Sequence, residues 1–274
     1  MILVNGVQTE MVPVQDRGFQ YGDGLFETLA IREGRPLRWL AHMERLARGC
    51  AILDIPVPPE ALLAAEADRL CSEQQRCVLK ITVTRGCGGR GYAPPPAPEP
   101  TRVLALHDWP AYPRSFWNEG ISVVVCGTRL AHQPQLAGLK HLNRLEQVLA
   151  RRELAGSEHA EGLMLDVEGR VIEGTMSNLF LIRGNELLTA DLRSCGVAGI
   201  VRARILEQAA DWGLVSSVRD LTLDDVYSAG EAFFTNSVVG VWPVRRIGSR
   251  EYPPDRRVRE ISRALAAEDC IVLP

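Results

Sequence analysis

Hydrophobic and polar residues change their spacing several times along this chain of 274 residues. At the start, Ile2-Leu3-Val4 is followed by Asn5-Gly6 and further strand-like residues, a pattern typical of a tight hairpin, since glycine after asparagine suits a type I′ turn. Apolar residues then recur at three- and four-residue spacing from Trp39 to Leu53, which predicts an amphipathic helix. Pro58-Pro59 opens a second predicted helix that runs to Cys71.

Continuous or alternating apolar runs predict the strands of this first region. They span Phe26–Ile31, Cys77–Arg85 and Thr101–His107. Between the last two lies a loop, Gly86 to Pro100, that is rich first in glycine and then in proline. Strands that follow one another with helices set apart from them indicate an α+β unit built on an antiparallel sheet.

The pattern changes character between Trp109 and Gly120, and we expect two domains, 1–113 and 114–274. The predicted strands of the second domain are Ile121–Cys126, Gly162–Val167, Val171–Glu173, Asn178–Ile182, Glu186–Thr189 and Glu231–Thr235. Its predicted helices are Leu142–Leu154, Val201–Trp212, Leu221–Tyr227 and a last helix that starts near Asp255. Two α/β lobes are the expected architecture.

The composition excludes several classes of protein. A hydrophobic fraction of 46%, a charged fraction of 24% and a net charge of −3 are ordinary for a globular protein and offer no basic surface to nucleic acid. No apolar run is long enough to cross a bilayer, and the N-terminus lacks the features of a signal peptide. The seven scattered cysteines contain no C-x-x-C pair, which favours reduced thiols in a cytoplasmic protein without a metal site.

Lysine is scarce, which narrows the candidates for amine chemistry. Only Lys80 and Lys140 occur among 31 basic residues, and arginine cannot replace lysine in a Schiff base. Lys80 alternates with Thr82 and Thr84 in its predicted strand, so a solvated structural lysine is the favoured interpretation there. Lys140 lies between a predicted loop and the start of a predicted helix.

Several short features of the second domain are compatible with a bound phosphate. Cys195–Arg202 is a glycine-containing turn that leads into a helix, and helix N-termini bind phosphate, although most such turns do not. Thr235-Asn236-Ser237 follows a strand and could add donors, yet this tripeptide is more often only a turn. Glu173 ends a strand, and an isolated glutamate there is most simply a solvated surface charge. Arg45 shares a helix face with His42, and its spacing does not distinguish a surface charge from a phosphate ligand.

Three longer motifs are more specific. They are Gln20–Thr28 (QYGDGLFET), Thr84–Tyr92 (TRGCGGRGY) and Leu136–Gln147 (LAGLKHLNRLEQ). With them, the order of Arg45, Lys140 and Glu173 resembles the fold-type IV pyridoxal-phosphate enzymes over essentially the whole chain, and among these most closely the 4-amino-4-deoxychorismate lyases. The resemblance implies an α+β fold of two lobes, an N-terminal α/β sandwich and a C-terminal α/β barrel-like domain, in a homodimer.

The resemblance also implies roles for individual residues. Lys140 corresponds to the Schiff-base lysine and general base, Glu173 to the partner of the pyridine nitrogen, and Arg45 to a phosphate ligand. The other cofactor-binding candidates are the backbone N–H groups of Ile200 and Val201, the hydroxyl of Ser237 and the side chain of Asn178. The candidates for binding substrate are Arg90, Tyr92 and Thr28, with Arg85 as a weaker one.

Two departures from the family pattern leave positions open. The phosphate turn often reads Pro-Gly-Ile-Thr-Arg in the family, whereas Ala198 and Val201 replace the proline and the threonine here. The threonine hydroxyl contact is therefore absent, while backbone contacts remain possible. Some relatives carry a tyrosine five residues after the lysine to contact the cofactor's ring oxygen. Leu145 stands there in this chain, and Asn143 is a candidate for that contact.

The implied activity is cleavage of aminodeoxychorismate to 4-aminobenzoate and pyruvate, with pyridoxal 5′-phosphate as cofactor, in folate biosynthesis. The alternative is a D-amino-acid or branched-chain aminotransferase on the same fold, which would use the same Lys140 and Glu173. The Arg85–Tyr92 segment favours the lyase. A non-catalytic relative that merely binds the cofactor is disfavoured, because the motif around Lys140 is complete.

Overall fold

A computed structural model describes residues 1–253 and 256–273 of the chain. The chain divides into one unit of Met1–Pro110 with Leu139–Asn143, and a second of Ala111–Gly138 with Arg144–Pro274. The sequence places the boundary after residue 113 and assigns Lys140 to the second domain; in the structure Leu139–Asn143 belongs with the first unit. Backbone pairing explains the difference, since the Lys140 carbonyl accepts a hydrogen bond from the Phe26 N–H at 2.9 Å.

The first unit is an antiparallel sheet with helices. Its elements are β1 (Ile2–Val4), β2 (Val7–Gln8), α1 (Arg17–Tyr21), β3 (Gly24–Arg32), β4 (Arg35–Pro36), α2 (Trp39–Leu53), α3 (Glu60–Cys71), β5 (Arg76–Thr84) and β6 (Thr101–Asp108). The six strands are ordered β2-β1-β6-β5-β3-β4, and the pairs are antiparallel.

Side chains of β3 alternate between the two faces of this sheet. Leu25, Leu29 and Ile31 are buried, and α2 packs along the same strand with its own apolar stripe. That stripe includes Met43 and Leu46, whose spacing of three residues places them on one face of the helix. Phe26 and Thr28 lie on the other face of the strand, which is therefore the face left for contacts other than core packing.

The second unit holds the remaining elements. They are α4 (Ser115–Asn118), β7 (Ile121–Leu130), α5 (Leu145–Glu153), β8 (Glu161–Asp166), β9 (Val171–Gly174), β10 (Asn178–Arg183), β11 (Glu186–Ala190), α6 (Ile200–Gln208), a 3-10 turn (Ala209–Trp212), β12 (Val215–Arg219), α7 (Leu223–Ser228), β13 (Glu231–Asn236), β14 (Gly240–Ile247), β15 (Arg250–Glu251) and α8 (Arg256–Ala267).

Six of these strands close on themselves. The order β10-β13-β14-β7-β8-β9 returns to β10, because β9 pairs with both β8 and β10. Trp242, fully buried, belongs to the cluster of apolar side chains that includes Leu163, Leu179 and Phe234. A second apolar cluster joins the sheet to α6 and α8 and contains the stacked rings of Phe180 and Phe233. The barrel-like C-terminal domain expected from the resemblance is thus confirmed.

The elements agree with the predicted pattern at most positions, and the differences have local causes. Helix α2 has the predicted bounds, whereas α5 begins at Leu145 rather than Leu142 because the Leu142 N–H donates to Gly24 O at 3.0 Å. Strand β14 was not predicted, since Pro243 within it is unfavourable for a strand interior. The predicted helix start at Asp255 lies outside the described residues. Within the described residues, no helix is both long and apolar enough to span a membrane.

Candidate active site

Lys140 lies beside an aromatic ring of the first unit. Its Nζ atom is 4.3 Å from the centroid of the Phe26 ring, and its carbonyl pairs with the Phe26 backbone as described above. Lys80 approaches the same ring, with its Nζ atom 5.2 Å from the centroid. Thr28 is paired directly opposite Lys80 on the neighbouring strand, so both side chains share the face of the sheet that carries Phe26. The two lysines of the chain and the predicted Thr28 therefore come together.

This arrangement changes the interpretation of Lys80. The sequence favours a solvated structural lysine, and Lys80 is indeed exposed. It nevertheless lies against the ring that also carries Lys140, and an ammonium group over an aromatic face is held there by the ring quadrupole. The alternation of residues along β5 predicts that Lys80 and Thr82 lie on one face of the sheet. It does not reveal that Phe26, on the neighbouring strand, lies on the same face.

Arg45 is buried in an ion cluster on the opposite face of β3. Its Nε and Nη2 atoms donate to the two oxygens of Glu27, at 2.8 and 2.5 Å, and His42 Nδ1 lies 2.6 Å from Glu27 Oε2. Burial alone raises the pKa of Glu27, but the charge of Arg45 and the hydrogen bonds outweigh it and hold that pKa at about 2. Burial lowers the pKa of His42. Glu27 is thus a fixed anion that orients Arg45.

The sequence did not point to Glu27. A glutamate at a core-facing position of a strand, opposite a helix face that carries histidine and arginine, is the signal that identifies it, because a buried carboxylate needs charged or hydrogen-bonding partners. The role of Arg45 as a phosphate ligand stays a prediction, with Glu27 as the group that fixes two of its donors.

The loop between β5 and β6 carries the substrate-binding candidates Arg90 and Tyr92, both exposed. Arg85, the weaker candidate, is buried and used within the first unit. Its Nε and Nη2 atoms donate to Asp23 at 2.7 and 3.0 Å, and its Nη1 and Nη2 atoms donate to the carbonyls of Asp54 and Leu53. This bonding makes Arg85 a structural residue.

In the second unit, Glu173 and Asn178 lie opposite each other on β9 and β10. Glu173 is only 4% exposed, and its Oε2 atom accepts hydrogen bonds from the Val197 N–H at 2.9 Å and from Asn178 Nδ2 at 3.3 Å. Asn178 Nδ2 also donates to Val197 O at 2.8 Å. The predicted Glu173 and Asn178 therefore form one buried cluster with the turn that precedes α6.

That turn delivers the start of helix α6 to the same cluster. Gly199 is the residue before the helix, Ile200 and Val201 are its first two residues, and no described side chain caps it. A helix start without a side-chain cap offers its N–H groups and the positive end of its dipole to an anion. Burial lowers the pKa of Arg202, and the negative charge of Glu173 opposes that shift.

Ser237 lies in the turn between β13 and β14. Asn236 organises this turn, because its Oδ1 atom accepts hydrogen bonds from the N–H groups of Val238 and Val239, at 2.8 and 2.9 Å. Its Nδ2 atom donates to Met176 O at 3.1 Å, which ties the turn to the loop between β9 and β10. Asn143, the candidate for the ring-oxygen contact, donates to Gly22 O at 3.1 Å through its Nδ2 atom, and the contact itself stays a prediction.

Glu161, which the sequence did not indicate, braces the turn that joins Glu173 to Asn178. It is fully buried and accepts hydrogen bonds from the Thr175 N–H at 3.0 Å, from Thr175 Oγ1 at 2.5 Å and from Ser177 Oγ at 2.6 Å. Its Oε1 atom also accepts the N–H of Gly162. A carboxylate with this many short bonds fixes the 174–177 turn, and hence the spacing of the two site residues.

The described residues contain no group of three or more His, Cys, Asp or Glu side chains arranged to hold a metal ion. The first unit contains an amine, Lys140, and a buried arginine, Arg45. The second unit contains a buried carboxylate, Glu173, and the uncapped start of α6.

Comparison with known proteins identifies the family to which the chain belongs. The profile of the amino-transferase class IV family matches residues 24–247, which is most of the chain and includes Lys140, Glu173 and the α6 turn. The chain belongs to the class IV aminotransferase family. Within this family it is 39% identical to aminodeoxychorismate lyase from Vibrio harveyi, over 97% of this chain and 98% of that protein.

Solved class IV structures agree over nearly the full length. The crystal structure of 4-amino-4-deoxychorismate lyase from Pseudomonas aeruginosa superposes with a TM-score of 0.94 at 46% identity, and covers 98% of this chain and 99% of that one. Escherichia coli branched-chain aminotransferase superposes with a TM-score of 0.85 at 25% identity over 97% and 93% of the two chains. The similarity to the lyases is thus greater than that to this aminotransferase.

Proposed function

We propose that this class IV protein is a pyridoxal-phosphate-dependent lyase that cleaves 4-amino-4-deoxychorismate to 4-aminobenzoate and pyruvate. The observation that carries the proposal is the near full-length similarity to two aminodeoxychorismate lyases, at 39% and 46% identity. A D-alanine aminotransferase from Bacillus licheniformis is less similar than these two lyases, at 27% identity over 90% of the chain.

The residues fit pyridoxal 5′-phosphate. Glu173 is buried with its Oε2 atom fixed by two N–H donors, as a partner for a protonated pyridine nitrogen requires. The uncapped start of α6 suits a phosphate. We propose Lys140 as the covalent attachment point, with Glu173, Arg45, Asn178, Ser237 and the N–H groups of Ile200 and Val201 as the residues that hold the cofactor.

The cofactor supplies an electron sink for the negative charge that develops when the substrate loses a proton. Lys140 takes that proton as a neutral amine, and its Nζ atom then carries a positive charge. The face of the Phe26 ring, 4.3 Å from Nζ, stabilises the ammonium form. Glu173 would meet the pyridine nitrogen of the cofactor, with its Oε2 atom held by the Val197 N–H and by Asn178 Nδ2.

The substrate carries two carboxylates, so cationic and hydrogen-bonding side chains are expected around it. We propose Arg90 and Tyr92 in the loop of the first unit for one carboxylate. Lys80 and Thr28 share the face of the sheet that carries Phe26 and Lys140, and we propose that the exposed ammonium of Lys80 binds the other.

The proposed reaction is tested by product release without a second substrate. The purified protein, loaded with pyridoxal phosphate, is mixed with aminodeoxychorismate and no keto acid. We expect pyruvate and 4-aminobenzoate in equal amounts over many turnovers. Products formed only when a keto acid is added, together with amino transfer from D-alanine or branched-chain amino acids, would identify an aminotransferase instead.

The lysine assignment has its own test. Lys140→Ala is expected to abolish turnover and the absorbance of covalently bound cofactor, whereas Lys80→Ala is expected to keep that absorbance. If the absorbance survived Lys140→Ala and disappeared in Lys80→Ala, Lys80 would be the attachment point.

We also propose that two copies of the chain associate. Helix α5 presents Leu145, Val148 and Leu149 at helical spacing, and they are 76%, 54% and 47% exposed. An apolar helix face open to water is typical of an interface, and a second copy is the partner that the family resemblance implies. Val148→Glu should shift the mass seen by light scattering from twice 30.2 kDa towards 30.2 kDa.

The matched control for this interface is Val215→Glu, because Val215 is 61% exposed in the same unit and lies on a different element. A wild-type protein that is monomeric at micromolar concentration would contradict the proposal.

The proposed pathway and compartment follow from the product and from the cysteines. 4-Aminobenzoate is a building block of folate, so we propose that the enzyme acts in folate biosynthesis. All seven cysteines are free thiols, which suits a reducing cytoplasm.

A further inference from the structure

Arg17 is an almost fully buried arginine, 4% exposed, for which the proposed reaction has no role. It begins the short helix α1, whose start is capped by Asp16. The Arg17 N–H donates to Gly86 O at 2.9 Å, at the point where the chain leaves β5 for the loop that carries Arg90 and Tyr92. The backbone of Arg17 is thus tied to the beginning of this loop.

The guanidinium of Arg17 is tied to the middle of the same loop. Its Nη2 atom donates to Tyr92 O at 2.8 Å, and its Nη1 atom donates to Gly91 O and Ala93 O at 3.1 and 3.2 Å. Three consecutive carbonyls of a segment outside any helix or strand therefore converge on one cation. The rigid fork of arginine can serve several carbonyl acceptors at once.

The Nε atom of Arg17 connects these loop contacts to the rest of the first unit. Its Nε atom donates to Asp23 Oδ2 at 2.8 Å, and Arg85 donates to the same oxygen at 2.7 Å. Arg85 in turn bonds the carbonyls of Leu53 and Asp54 at the end of α2. The loop is therefore connected through Asp23 and Arg85 to the C-terminal end of α2.

Two further contacts lie beside the Arg17 guanidinium, one made by Tyr92 and one by Gly88. The Tyr92 ring packs edge-on against Tyr21 with centroids 5.4 Å apart, and Arg17 lies 5.0 Å from the Tyr21 ring. Gly88 passes close to the stem of Arg17, such that a Cβ atom at residue 88 would lie 2.9 Å from Arg17 Cδ. The adjacent Gly89 faces open space, with no described atom within 4 Å of an added Cβ.

From these contacts we infer that Arg17 is the positioning residue for the substrate loop: its guanidinium sets the backbone of residues 91–93 and thereby aims Arg90 and Tyr92 at the substrate carboxylate. The inference rests on the proposed function for the role of Arg90 and Tyr92, while the ordering of the loop is independent of it. A positioning residue of this kind governs affinity for the substrate more than the rate of the chemical step.

The loop itself supplies a first assay, because trypsin cleaves after arginine and Arg90 is exposed, so the rate of cleavage there reports how firmly the segment is held. In the cofactor-loaded protein, Arg17→Lys keeps the charge but loses the fork, and we expect cleavage at Arg90–Gly91 about tenfold faster than in wild type. The matched control is Arg102→Lys, since Arg102 also bonds both oxygens of a carboxylate of the first unit, with Nε donating to Glu66 Oε2 and Nη2 to Glu66 Oε1. Its cleavage rate at Arg90 should equal that of wild type.

Steady-state kinetics with aminodeoxychorismate are the second assay. Arg17→Lys is expected to raise KM about tenfold with kcat within about threefold of wild type, which a loss of overall folding would not produce. Equal cleavage rates in Arg17→Lys and wild type, or faster cleavage with unchanged KM, would overturn the inference. If wild type itself releases no pyruvate, the proposed function fails, and the cleavage assay still tests whether Arg17 orders the loop.

A pair of glycine variants covers the case in which Arg17→Lys does not fold. Gly88→Ala pushes on the stem of Arg17 and is expected to accelerate cleavage at Arg90 and raise KM, each about threefold. Gly89→Ala adds the same atom to open space one residue away and should change neither quantity. Identical behaviour of the two alanine variants would contradict the proposed role of Arg17.

Discussion

Among the glycines of the second unit, Gly199 leaves the least room for a side chain, because it lies against Asn178. A Cβ atom at residue 199 would overlap Asn178 Oδ1, although Gly199 has φ −68° and ψ 144°, a conformation that alanine adopts freely. Gly199→Ala therefore introduces no backbone strain, and its effect comes from a single displaced side chain.

The size of that effect follows from the bonds of Asn178. Its amide must withdraw by about 1 Å to reach ordinary contact distance. This movement breaks the 2.8 Å hydrogen bond from Asn178 Nδ2 to Val197 O and the weaker one to Glu173. Loss of hydrogen bonds from a buried amide costs about 1–3 kcal/mol, so we expect Gly199→Ala to destabilise the protein by about 2 kcal/mol.

A double-mutant cycle separates this overlap from other effects of alanine before a helix. Urea unfolding, followed by tryptophan fluorescence, is measured for Gly199→Ala, Asn178→Ala and the double variant without cofactor. Because Asn178→Ala removes the overlapping atom, the double variant should be about 1–2 kcal/mol more stable than the sum of the single effects predicts. Additive effects within about 0.5 kcal/mol would refute the reasoning, as would a Gly199→Ala protein as stable as wild type.

Three further predictions concern Glu27, Glu161 and Lys80. Glu27, with its pKa lowered from 4.5 to about 2, adds stability that is complete above pH 4.5 and is lost as the pH falls towards 2. The lowered pKa corresponds to about 3 kcal/mol of unfolding free energy. In Glu27→Gln the unfolding free energy should therefore decrease less between pH 4.5 and 2.5 than in wild type. An equal decrease in the two proteins would show that the ion pair of Glu27 does not stabilise the fold. Glu161→Gln replaces an acceptor of several hydrogen bonds with an amide and should cost about 2–4 kcal/mol in urea unfolding, against about 1 kcal/mol for Ser177→Ala; equal costs would argue against Glu161 as the brace. Lys80→Met should raise the KM for aminodeoxychorismate about tenfold at unchanged kcat, with recovery in Lys80→Arg; an unchanged KM would remove Lys80 from the substrate site.

Much of this fold could be predicted because local patterns determine it. The apolar spacing of α2 set both its ends, and Pro59 marked the residue before α3. Strand β14 escaped prediction because Pro243 lowers the strand preference of a segment that the barrel nevertheless buries. Its strand conformation depends on pairing with β13 and β7, which are distant in sequence.

Some residues of the candidate site could likewise be predicted from the sequence, and others could not. Lys140 and Glu173 could be named from motifs, since amine and carboxylate chemistry depends on residue type. Glu27, Glu161 and Arg17 could not, because each acts through partners many residues away that no spacing reveals. Their common signal is a charged residue at a buried position, and burial becomes visible only in the folded chain.

The pairing of Leu139–Asn143 with β3 has a consequence for solubility. Strand β4 covers only the far end of β3, so the backbone of Gly24 to Phe26 would form an open sheet edge without this segment. Open edges recruit strands from other molecules. The segment that carries the proposed reactive lysine therefore also protects the sheet from aggregation. A deletion within it should yield insoluble protein rather than a soluble inactive one, and the chain cannot be cut at Pro110 without exposing that edge.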